Sequence, residues 1–230
     1  MIDNSTRFRS LLLTSIASIL FCSTLLIVEE TTSAQTAQIN YWQYLKKIFR
    51  RKRRKPISRP LNSICLISPE SPERAKVITP TLVYNTKPFF LWKGDIKKIA
   101  VGIPNNKEYF KTQIVTGNQS VNYTGEALES GKTYRLSIFL SEGESASPTM
   151  LVPFKIMEAP QRNRIAAELT LLEKWQKNKG TEAIAFSKAK YFAEKGLFSD
   201  ALQQAYSVPN PSPELSQIIK DIPLQLCELK

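Results

Sequence analysis

The chain has 230 residues and a formal net charge of +12, from 32 Lys and Arg against 20 Asp and Glu, and it contains no histidine. The missing imidazole excludes Ser-His-Asp and Cys-His nucleophile systems and any His-ligated metal site. Its 8 glycines include no GxGxxG or GxxxxGK[ST] order, so no phosphate-cradling loop is encoded.

Residues 1–34 read as a targeting segment. Arg7 and Arg9 precede an 18-residue apolar run, Leu11–Val28, and Thr32-Ser33-Ala34 places small residues ahead of a cleavage site at Gln35. The expectation is a cleaved signal and export to a periplasmic or extracellular space. The alternative is an uncleaved anchor through residues 11–28, because a run of that length can span a bilayer and a basic stretch follows it closely. Phe21 before Cys22 lacks the small residue that lipoprotein processing requires.

The charge is concentrated in residues 35–60, which hold nine basic residues and no acid. Lys46, Lys47, Arg50, Arg51, Lys52, Arg53, Arg54 and Lys55 form an arm that repels itself and is expected to be extended or disordered alone. Just upstream, Tyr41, Tyr44, Leu45 and Ile48 fall at i, i+3, i+4 and i+7, with Trp42 and Phe49 flanking. That pattern predicts a short amphipathic helix lying in a membrane interface, with Trp42 inserted and the following cations near anionic headgroups. The competing reading is a solvated linker. Nucleic acid is disfavoured, because no RNP-like or helix-turn-helix pattern accompanies the arm.

Cleavage at Gln35 would leave two cysteines, Cys65 and Cys227. They are compatible with one disulfide, restricting the unfolded chain by about 4–5 kcal/mol, or with two buried free thiols. No base lies near either in sequence, and two sulfurs without His cannot complete a zinc site.

From residue 61 to 157 short apolar or alternating runs predict strands near 77–79, 81–84, 89–92, 96–103, 109–115, 120–123, 133–140 and 149–157, broken at Pro88, Gly94, Gly117, Gly131 and Gly143. That spacing predicts an antiparallel β-sandwich with Trp92 as a core aromatic. Leu128-Glu129-Ser130-Gly131-Lys132-Thr133-Tyr134 resembles the tyrosine-corner segment of fibronectin type III and immunoglobulin-like sandwiches. The resemblance implies a structural role for Tyr134, whose hydroxyl would tie back to the upstream backbone.

After Glu158-Ala159-Pro160 the periodicity becomes helical, and residues 158–230 are expected to form a cap of about four helices, the overall class being α+β. Ile165, Leu169, Leu172 and Trp175 make a stripe expected to be core. A second helix is predicted over 182–195, a third capped by Ser199, and a fourth opened by Ser212-Pro213. Phe192, Gly196, Ala201 and Pro213 are similar in order and spacing to one tetratricopeptide unit, although Ala205 replaces its usual large aromatic and no second copy follows. A single unit implies a cap against the sandwich or a partner rather than a solenoid.

The leader, the segment Thr81-Leu82-Val83-Tyr84-Asn85-Thr86-Lys87-Pro88-Phe89-Phe90-Leu91-Trp92, and the closing Gly196-Leu197-Phe198-Ser199-Asp200-Ala201-Leu202 resemble a group of uncharacterised secreted cyanobacterial proteins. That resemblance implies no activity, cofactor or catalytic residue. The carboxylate pairs Glu126/Glu129 and Glu142/Glu144 read as surface loops rather than acid-base machinery. The expectation is therefore a non-enzymatic envelope protein without cofactor or metal. It would be a binding module held near an anionic membrane by its basic arm, or a scaffold docking another envelope protein through its C-terminal helices.

Overall fold

The computed structural model describes residues 42–45, 47–48, 64–70, 79–106 and 108–228. The predicted leader, most of the basic arm (Lys46, Arg50, Arg51, Lys52, Arg53, Arg54 and Lys55), Tyr41 and Phe49 lie outside those residues. The first described element is helical at 42–45 and 47–48, here α1. Eight strands follow: β1 (Cys65–Ser68), β2 (Thr81–Val83), β3 (Phe89–Lys93), β4 (Lys98–Gly102), β5 (Tyr109–Ile114), β6 (Ser120–Asn122), β7 (Thr133–Phe139) and β8 (Met150–Ile156). Four helices close the chain: α2 (Ala159–Trp175), α3 (Thr181–Glu194), α4 (Phe198–Tyr206) and α5 (Pro213–Glu228).

The strands form two sheets, one ordered β1-β3-β6 and the other β2-β8-β7-β4-β5. Strand β3 explains how they meet the helices. It reads Phe89-Phe90-Leu91-Trp92 with all four side chains buried, the signature of a strand covered on both faces. Successive side chains alternate, so Phe90 and Trp92 join the core shared with Ile99, Leu136 and Phe154 of the larger sheet, while Phe89 and Leu91 join the helical core. The three-stranded sheet is thus a middle layer, with the larger sheet on one side and α4 and α5 on the other. Each Phe or Leu buried this way contributes about 1.5–3 kcal/mol.

Trp92 is fully buried in the inter-sheet core, as its position predicted, although its indole N–H has no acceptor among the described residues. The tyrosine corner is present as well: the Tyr134 hydroxyl accepts the Glu129 N–H at 2.8 Å, and Leu128 is buried beside it. Gly131 turns the chain there at φ 80°, a region L side chains avoid, and a Cβ at that position would run into the Glu158 carboxylate.

Several expectations need correction. The sandwich is not wholly antiparallel, because β2 pairs with β8 in parallel through Thr81↔Phe154 and Val83↔Ile156. No hairpin constrains its direction: the chain leaves one sheet after β1 and enters the other at its edge. Strand β1, Cys-Leu-Ile-Ser, lies outside the predicted strands. Ser199 does not cap α4; it is buried within the helix, and Leu197 occupies the cap position after Gly196 turns at φ 77°. Ser212 does cap α5, its Oγ accepting the Leu215 N–H at 3.2 Å.

Trp42 is the largest departure. It is 2% exposed, sits edge-on to Phe186 at 5.1 Å and donates its indole N–H to Glu182 at 3.1 Å. Leu45 is buried beside it, whereas Tyr44 faces outward at 45% exposure. The apolar face of α1 is therefore satisfied by the helical layer, and the indole is not available to a membrane interface. Lys47 remains exposed. Among the described residues no helix is long and apolar enough to cross a membrane.

Candidate functional site

Helix α2 begins well anchored and ends in solvent. At its first turns Arg162 donates Nε–H to the Tyr84 carbonyl at 2.9 Å and an Nη to Ser130 Oγ at 2.8 Å, with its guanidinium 5.5 Å over the Tyr84 ring. One turn on, Ile165 enters the helical core, and it is the helix's one buried side chain. Further along, α2 is held to α3 by polar bridges. Tyr191 donates its hydroxyl to Glu168 at 2.6 Å, Lys195 pairs with the same carboxylate at 3.1 Å, Lys188 pairs with Glu173, and Gln176 bonds Ser187. Burial, helped by the bond to Glu168, pushes the Tyr191 hydroxyl up to about 12, so it stays a donor at neutral pH.

These bridges leave the predicted core stripe only half docked. Leu169 and Leu172 are half-buried, but Trp175 is 87% exposed, and Leu171, one turn before it on the same face, is 53% exposed. Trp175 is thus a large aromatic in solvent rather than a core residue. A weak sequence sign existed: the residues after it, Gln176-Lys177-Asn178-Lys179, are all polar, so the stripe had no continuation to bury.

Between α2, α3, α4 and the β2–β3 loop lies a groove of about 330 Å³. Leu169 and Phe192 line it with Glu173, Lys188 and Gln203. At its base Asp200 is 1% exposed, and its two carboxylate oxygens accept the N–H groups of Tyr84 at 2.9 Å and Asn85 at 2.8 Å. Burial pushes this carboxyl up to about 6 against the pull of those donors. Gln203 continues the seam, accepting from Asn85 Nδ2 and donating to the Lys87 carbonyl and Asn122 Oδ1. Asp200 therefore fastens the helices to the strand layer. Nothing in the sequence separated it from an ordinary first-turn acid.

Cys65 and Cys227 form a disulfide, with Cα atoms 5.9 Å apart, joining the first strand to the last helix. The carboxylates that could have suggested catalysis are not gathered. Glu126, Glu129, Glu142 and Glu144 are all exposed; Glu129 pairs with Lys132 at 2.7 Å and Glu142 meets the Thr116 hydroxyl. No protein-family model matches the chain, and no curated protein matches it significantly.

Proposed function

We propose that the chain is a non-enzymatic, exported interaction module that docks a partner protein through α2, with its basic segment drawing it to an anionic membrane surface. The observation that carries this reading is Trp175, 87% exposed, on one stripe with Leu171 at 53%. Exposed Trp beside an aliphatic side chain is the chemistry of an interface anchor, and aromatic anchors dominate binding energy where they fill a partner's pocket. The helix that presents them is fixed at its base by Arg162 and braced by α3, so little ordering cost remains on docking.

The other parts of the reading have their own support. A disulfide persists in oxidising compartments, which favours export. The β2-β8-β7-β4-β5 order facing β1-β3-β6, together with the tyrosine corner, favours an immunoglobulin-like sandwich in which β2 is a short edge strand moved to the second sheet. The resemblance to uncharacterised secreted cyanobacterial proteins is in keeping with such a module and adds no chemistry. Against an enzyme stands the state of Asp200, the buried carboxylate nearest the groove, whose oxygens are already engaged by backbone donors.

A photo-crosslinking amino acid at position 171, in protein made by native cells, tests the docking face. A discrete adduct with one protein is expected, and none from position 82, whose Leu82 is exposed on the strand layer at 39%. Equal labelling from both positions would remove the proposal. The membrane component is read separately by co-sedimentation with anionic vesicles. Binding is expected at low salt and to weaken at high salt, because each cation near the surface contributes about 1 kcal/mol.

A further inference from the structure

The last turn of α5 is attached differently from the rest of that helix. Leu215, Ile218 and Ile222 place its body in the helical core. Pro223 then stands inside the helix. Proline has no N–H, so the carbonyl of Ile219, four residues earlier, loses its helical donor. The Tyr206 hydroxyl supplies the missing bond at 3.0 Å from α4, and the Tyr206 ring lies 4.9 Å from that of Phe89. The helix body is thus secured up to the proline by a neighbour.

Beyond the proline the hold is weaker. Leu224 is 46% exposed, and the Gln225 side-chain oxygen is buried without a partner among the described residues. What fixes this turn is Leu226, buried in the helical core and on the wall of a small cavity that Ile67, Phe198, Leu202, Glu70 and Thr81 also line, and the bond from Cys227 to Cys65. A hinge, an unmet polar group and a covalent tie next to a buried leucine coincide in six residues.

We infer that the segment Pro223–Glu228 is a redox-released flap: reduction of Cys65–Cys227 lets it swing away at Pro223, exposing Leu226 and widening the cavity between β1 and α4. The reductant is a dithiol. Its thiolate attacks one cysteine sulfur, expelling the other as a thiolate and giving a mixed disulfide; its second thiol then attacks the reductant's own sulfur in that bond, closing the ring and releasing the first cysteine. Two electrons and two protons pass to the protein, leaving two cysteine thiols and the oxidised cyclic dithiol.

The test uses the full chain carrying Cys22→Ser, so that this third cysteine cannot exchange with the pair. Amide hydrogen exchange is compared before and after dithiothreitol, and also in the Cys65→Ala, Cys227→Ala variant, which opens without a reductant. The expected result is at least about a tenfold loss of protection confined to residues 224–228 and the facing β1, with α3, α4 and the larger sheet unchanged. Binding of the apolar dye anilinonaphthalene sulfonate should appear in both opened forms. Unchanged protection at 224–228 would overturn the proposal. So would loss of protection throughout the chain, which would make the bond a staple of the whole fold.

Discussion

At Asp200 one carboxylate serves two backbone donors across the seam between helices and strands. Asparagine offers one acceptor oxygen and an NH₂, so Asp200→Asn must leave one of the Tyr84 and Asn85 N–H groups without a partner. The expected loss is about 1–3 kcal/mol of unfolding free energy, measured by urea denaturation. The acid also titrates. With its carboxyl raised from 3.8 to about 6 in the folded state, Asp200 holds its proton longer folded than unfolded. Its contribution is therefore full below about pH 4 and is lost as pH rises through 6. The stability difference between wild type and Asp200→Asn should shrink across that window by up to about 3 kcal/mol; a difference that grows with pH would contradict this sign. Tyr206→Phe removes only a hydroxyl, yet it orphans the Ile219 carbonyl beside Pro223, and a loss of about 1–3 kcal/mol is expected in the same assay.

Among the elements, α1 and α2 exchange the roles their sequences suggested. Trp42→Ala should cost about 3–5 kcal/mol, because it empties a core site against Phe186 and leaves Glu182 short of a donor. Trp175→Ala should change stability by no more than about 0.5 kcal/mol, because that side chain contacts mostly water. The reason for the inversion is local ambiguity. An aromatic stripe at helical spacing says that a helix has an apolar face, not what covers it. For α1 the cover comes from α3, 140 residues away in sequence, a separation no periodicity reports. Strands were more legible. Runs such as Thr133–Phe139 and Met150–Ile156 alternate, and the turn at Gly131 with Tyr134 after it carries its own geometry. The parallel pairing of β2 was hidden because direction is set by where the chain crosses between sheets. The helical cap was legible from its periods and from Ser212-Pro213, while the fastening at Asp200 and Gln203 was not, since each of those side chains acts on a partner more than 80 residues distant.

For the molecule as a whole, the shared middle sheet makes strands and helices a single body, and Trp42–Lys230 form one compact unit. Because Phe89 and Leu91 face one core and Phe90 and Trp92 the other, neither core can open without disturbing β3. One cooperative unfolding transition is expected, seen identically by circular dichroism of the helices and by fluorescence of buried Trp92. Among the described residues, this body carries its most exposed aromatic, Trp175, at one end of α2. In sequence, its densest charge lies between α1 and β1, so the proposed partner and membrane contacts fall on different residues. The claim that α2 is a docking face is tested most directly by oxidative footprinting of Trp175 in intact cells and in the purified chain. Trp175 should react readily when purified and be protected in cells, while Tyr44, exposed at 45%, reacts alike in both. Equal oxidation of Trp175 in the two settings would contradict the account.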